Sequence, residues 1–186
     1  MKNILSLLVF LTTISVSKAQ DISGTLSVED YKTIQVINNQ HSKTMSLGDI
    51  EYQPVNGSWS ELTTSLGVTT PTCTTNEAGN NCYVEQSGLK IYYSDRLGDF
   101  TMGSLTIANT NFTFKIKGQS IKIGDNISKL SSVHADAYNK RQTVPRGQSF
   151  ERQVLLILEY TDLSISFFYD SRTNKITEIL VFQSLV

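Results

Sequence analysis

The chain has few of the side chains on which catalysis and nucleic-acid binding depend. Among 186 residues there are two cysteines, two histidines, three prolines and one tryptophan. His41 sits in the polar stretch "NNQHSK" and His134 closes "DNISKLSSVH", so the two are far apart in the sequence. A metal centre or a histidine-based catalytic site needs convergent partners, and this spacing supplies no reason to pair them. The chain also lacks a Gly-x-Ser-x-Gly elbow, a glycine-rich phosphate loop ending in lysine, and a His-Glu-x-x-His motif. No cofactor and no metal are expected. Basic runs are missing too: 16 basic residues stand against 17 acidic ones, which leaves no electrostatic footprint for nucleic acid.

Long apolar runs are confined to the beginning. Lys2 is followed by the uncharged, mostly apolar Ile4 to Val16, and Ser17 and Ala19 occupy the small-residue positions before a cleavage after Ala19. Residues 1–19 therefore read as a secretory signal peptide; about 13 residues at ~1.5 Å each fall short of a ~30 Å hydrocarbon layer. With Lys2 and Lys18 removed, 14 of the 16 basic residues remain against 17 acidic ones. The mature chain is expected to be exported, periplasmic or extracellular, with no membrane span. In such a compartment Cys73 and Cys82, in "CTTNEAGNNC", are expected to form a disulfide across an Asn/Gly-rich loop.

Beyond a lead-in over residues 20–30, the chain matches itself: a first unit over residues 31–109 parallels a second over 110–186. "TIQVINNQHSKTMSLGD" and "FTFKIKGQSIKIGD" each run from an alternating strand through a polar turn, Asn38-Asn39 or Lys117-Gly118, into a second strand ending in Gly-Asp. "GSWSELTTSL" and "DNISKLSSVH" come next with helical spacing, Trp59 opposite Ile127, Leu62 opposite Leu130 and Leu66 opposite His134. Asp125 or Asn126 suits the cap of the second helix. Three strands then close each unit: "CYVEQ", "GLKIYYSD" and "FTMGSLTIA" in the first, "VLLILEY", "LSISFFYD" and "KITEILVF" in the second. The expected class is α+β, two tandem repeats of β-hairpin, short helix and antiparallel meander, with the helices packed on one face of the sheet.

This plan resembles the beta-lactamase inhibitor protein architecture, a tandem duplication of helical segments followed by antiparallel strands. The short cysteine loop from Cys73 to Cys82 is similar as well. Two departures stand beside it: the second unit has no cysteine pair, and each unit opens with a hairpin that the inhibitor plan does not require. The resemblance implies a binding protein, and no residue-level inhibitory motif carries over.

The residues give a matching expectation. Alternation along "GLKIYYSD" puts Leu89, Ile91 and Tyr93 on one face and Lys90 and Tyr92 on the other. Along "LSISFFYD" it puts Leu163, Ile165, Phe167 and Tyr169 inward and Phe168 outward, with Tyr160 nearby. Tyr92, Phe168, Tyr160 and Lys90 are thus the candidate binding residues of an open sheet face, aromatics being suited to protein recognition. The opposing reading is that a second layer or a dimer partner covers this face, since "VLLILEY" is apolar on both sides. The expected function is non-enzymatic binding of another macromolecule, a protein partner, in the manner of an enzyme inhibitor or immunity-type protein. The alternatives are a small carboxylate-based hydrolase, which would need two close carboxylates in a cleft, and a small-ligand or envelope-assembly module.

Overall fold

The computed structural model describes residues 23–47, 66–68, 71–76, 79–96, 99–141, 150–159 and 163–183. The chain order is β1 (Gly24–Leu26), α1 (Val28–Lys32), β2 (Gln35–Asn38), β3 (Lys43–Ser46), β4 (Thr72–Asn76), β5 (Gly79–Gln86), β6 (Leu89–Arg96), β7 (Asp99–Ile107), β8 (Phe112–Ile116) and β9 (Gln119–Ile121). A 3-10 helix (Ile127–Ser132), α2 (Ala135–Asn139), β10 (Glu151–Leu158), β11 (Leu163–Asp170) and β12 (Lys175–Gln183) complete it. The class is α+β, mostly sheet with short helices. The expected leader and the expected helix over 57–66 lie outside the described residues, apart from Leu66, which is buried.

Two sheets share one core. The large one runs β1-β10-β11-β12-β7-β6-β5-β4 and the small one β3-β2-β8-β9. Every pairing is antiparallel except that of β1, which adds parallel to β10. Phe114 of β8 meets Phe167 of β11 edge to face at 5.7 Å, so the inner faces of the two sheets touch. The small sheet is made of two hairpins joined through β2 and β8, with Val36 opposite Phe114. Lys117 and Gly118, both at positive φ, turn the second hairpin, as a two-residue loop between twisted strands requires.

The middle of the large sheet is made of two three-stranded meanders, β5-β6-β7 and β10-β11-β12, which meet where β7 pairs with β12, and β4 and β1 add to its two edges. Each carries an irregularity at an aromatic pair. The β6–β7 register shifts between Tyr92 and Tyr93, leaving Gly103 as the extra residue, and the β11–β12 register shifts between Phe168 and Tyr169, leaving Thr177.

The "IGDNISKL" stretch joins the small sheet to the 3-10 helix. Gly124 takes φ +87°, and backbone bonds from Gly124 N to Ile176 O and from Ile176 N to Asp125 O lace the turn to the start of β12. Asn126 is the cap, its Oδ1 accepting from Ser128 N at 2.9 Å. The helix it starts is 3-10, not α. Ile127, Leu130 and Val133 are the buried residues, a three-residue period, and Ser132 Oγ donates back to the Lys129 carbonyl at 2.8 Å. His134, placed by the sequence on the same helical face, instead caps α2: Nδ1 accepts from Ala137 N and Nε2 donates to the Thr25 carbonyl, both at 3.1 Å.

Candidate binding face of the large sheet

One face of the large sheet packs on the core and the other is open over β5, β6, β7 and β12. Along β6 Leu89, Ile91 and Tyr93 are buried, while Lys90 and Tyr92 are exposed. Pairing then fixes the neighbours of Tyr92. Tyr83 lies directly opposite it on β5, Ser104 opposite it on β7, and Phe182 of β12 opposite Ser104. Tyr83, Tyr92 and Phe182 are 41%, 37% and 46% exposed, so three of the large exposed apolar side chains stand in one transverse row.

The row is built, not incidental. A Cβ on Gly103 would stand 2.5 Å from Tyr92 Cδ1 and 2.9 Å from Cε1, so the ring rests against the bulge glycine. Its hydroxyl donates to Asn81 Oδ1 at 2.8 Å. Both ends of the side chain are held on a strand with neighbours on either side.

Beside the row, Glu85 and Lys90 face each other across β5 and β6. Lys90 Nζ is 3.1 Å from Glu85 Oε1, and the Tyr83 hydroxyl donates to Glu85 Oε2 at 2.5 Å. The tyrosine's hydrogen bond, then Lys90, hold the Glu85 carboxyl below its ordinary range. Glu85 in turn raises the Tyr83 hydroxyl and the Lys90 ammonium. The three groups form a closed unit in which Glu85 and Lys90 are charged and Tyr83 is neutral.

Phe168 does not belong to the open face. It points away from Phe167 as alternation requires, yet only 1% of it is accessible. The reason is that both faces of the sheet are covered at β10 and β11. Val154, Leu155 and Leu156 are buried in succession, as are Phe167, Phe168 and Tyr169. On the same side as Phe168, Gln153 Nε2 donates to Ser166 Oγ at 3.1 Å, which lets two polar side chains be buried there. Tyr160 lies outside the described residues. Tyr83 and Phe182 were not singled out from the sequence, although alternation in "CYVEQ" sets Tyr83 opposite in sense to the buried Cys82 and Val84.

The disulfide is formed between Cys73 and Cys82, with Cα atoms 4.1 Å apart. It joins directly opposed residues of β4 and β5. Neither histidine is in the open face: His41 is exposed in the β2–β3 turn and His134 is a cap. Among the described residues no group of three or more His, Cys, Asp or Glu converges, and no helix is long and apolar enough to cross a membrane.

No protein-family model matches the chain, and no curated protein matches it. Among solved structures it is similar to an extracellular protein containing an SCP domain from Bacillus anthracis str. Ames, at 11% identity and a TM-score of 0.37. That match covers 67% of this chain and 42% of the other, so the chain spans less than half of that protein's length. A likeness at this level carries no argument about fold or function.

Proposed function

We propose that this is an exported, non-enzymatic binding protein that recognises another macromolecule through the open face of its large sheet. The observation that carries the reading is the row of Tyr83, Tyr92 and Phe182, exposed together in one line across β5, β6 and β12. Aromatic side chains lose little rotamer freedom on binding and bring large contact area. Strands inside a sheet hold them in place before a partner arrives, which lowers the ordering cost of association. Inhibition of an envelope or extracellular enzyme is the form the inhibitor-like architecture suggests. Export is supported by the leader-like start and by the disulfide.

A tandem duplication belongs to the same proposal. The matched bulges beside Tyr92 and Phe168 support it, as do the central pairs Ile107–Ile179 and Leu105–Val181. A shift of 74 residues exchanges those two pairs with each other.

The test is capture from the envelope and medium of the source, with wild type beside Tyr83→Ala/Tyr92→Ala and Gly103→Ala. The double variant is expected to lose its partner while keeping its fold. Gly103→Ala is expected to weaken binding as well, because the new methyl displaces a ring it does not delete. Equal retention of the partner by all three proteins would remove this face from the function.

A further inference from the structure

Resting on the reading of the open face as a binding surface, we infer that its ligand is an uncharged, β-linked polysaccharide laid across the strands along the aromatic row. The first ground is the composition of the row. Tyr83 and Tyr92 stand side by side, Ser104 sets Phe182 apart from them, and Thr72 and Ser164 flank the row, in register from β4 to β11. A protein-binding patch of this strength concentrates contiguous apolar area at its centre. Here the Tyr83–Tyr92 pair lies between Thr72 and Ser104, and Phe182 lies between Ser104 and Ser164, so hydroxyl-bearing side chains break the row into a pair and a single ring. A pyranose has the complementary character: an apolar C–H face that stacks on an aromatic plane, and a rim of hydroxyls that exchange hydrogen bonds with Ser, Thr and Asn.

The second ground is charge. Lys90, a cation on this face beside the row, is taken up by Glu85, whose other oxygen holds the Tyr83 hydroxyl. A phosphate or uronate polymer would have to break that pair, whereas a neutral glycan leaves it intact. Glu178 places a second carboxylate near Lys90, so this side of the face disfavours a polyanion and suits a ligand without negative charge.

Geometry agrees. Tyr83 and Tyr92 stand on neighbouring strands and Phe182 two strands beyond Tyr92, offsets of about 5 Å and about 10 Å at the backbone. Between Tyr92 and Phe182 β7 places Ser104, with Gly103 beside it, and neither is bulky enough to interrupt the row. An extended β-linked chain keeps its rings in a flat ribbon able to follow such a line. A coiled α-linked glucan does not lie flat.

The experiment is retention of the full chain on insoluble chitin, microcrystalline cellulose and granular starch, at low and high salt. Wild type is compared with Tyr83→Ala, Tyr92→Ala and Phe182→Ala, each checked for fold by circular dichroism. Retention on chitin or cellulose is expected, unchanged by salt, and about tenfold weaker in the Tyr92→Ala variant, the loss of one stacked ring. Gly103→Ala keeps all three aromatics and is expected to bind more weakly than wild type. Binding that salt abolishes, binding to starch alone, or equal retention of every variant would overturn the inference. So would no retention on any of the three. In that case the capture experiment decides the parent reading separately: a protein partner lost with the same variants keeps the face and replaces the glycan, and a partner held by all of them removes both.

Discussion

At the scale of single residues, two glycines do what no other residue would allow, and neither is explained by a turn. Gly103 gives Tyr92 a surface to lie on. Gly24, in β1, gives α2 its seat: a Cβ there would stand 2.8 Å from the His134 ring and 2.9 Å from the Ala137 methyl. Since His134 is pinned by its bonds to Thr25 and Ala137, it cannot retreat cheaply. Gly24→Ala is expected to destabilise by about 1–3 kcal/mol, the usual cost of overpacking a filled site, read as a lower urea midpoint with an unchanged slope. The role of His134 was only half legible in the sequence. Its place at a helix end could be read, but its link to Thr25, 109 positions away, is a tertiary contact that no local pattern encodes. The same holds for Phe168. Alternation gave its direction correctly, and burial then depended on what covers the far side of β10 and β11.

At the scale of elements, the hairpins and meanders read from the sequence are present, because a period of two with Val, Ile, Tyr and Phe specifies a pleated, half-buried segment, whereas the edge strands β1 and β4 were not read, the one short and the other polar. The short helical segment was less legible. Apolar residues at i and i+3 fit either helix type, and the Ser131-Ser132 pair, with its back-bond to Lys129, tips the choice to 3-10. Element stability differs as well. β4 is the last strand of the large sheet, and Thr72, Cys73, Thr74 and Thr75 are all exposed, so its pairing to β5 and the disulfide hold it without burial. Replacing both cysteines by serine is expected to cost about 2–3 kcal/mol in the chain-entropy account. Hydrogen exchange should show protection falling in β4 and its β5 partners first, with β6 and β11 retained; uniform loss across the sheet would contradict this. The β11–β12 turn is held differently. Asp170 accepts from the Arg172 guanidinium at 2.5 Å and from Arg172 N at 2.7 Å, which together hold the carboxyl at about 2 against an ordinary 3.8. A lowered folded value means that the contribution is complete above about pH 4 and is lost as pH falls toward about 2. Asp170→Asn is therefore expected to melt below wild type at neutral pH, with the gap closing over that acid range. A gap constant down to pH 2 would show that the carboxylate is not its source.

At the scale of the whole molecule, the question is whether two sheets make one cooperative unit. The sequence supplied the two hairpins and the two meanders, and it supplied no sign that the hairpins would leave the large sheet to form a separate layer. Partner choice between distant strands depends on which apolar faces can be buried together, and that is a property of the assembled set. The inner faces meet at Phe114 and Phe167, and the buried residues of both sheets form one contiguous cluster with Ile127, Leu130 and Ala137 of the helical segments. A core shared in this way couples the layers, since removing a side chain from one leaves a void lined by the other. Phe114→Ala, in the small sheet, is accordingly expected to cost about 3–5 kcal/mol and to lower the stability of both sheets together. The measurement is native-state hydrogen exchange on wild type and variant. The slowest amides of β6 and β11 should lose as much protection as those of β2 and β8, with one thermal transition in both proteins. If the β6 and β11 amides kept their wild-type protection while the small sheet opened, the layers would be independent. The open face of the large sheet would then need no support from the other layer to hold its aromatic row.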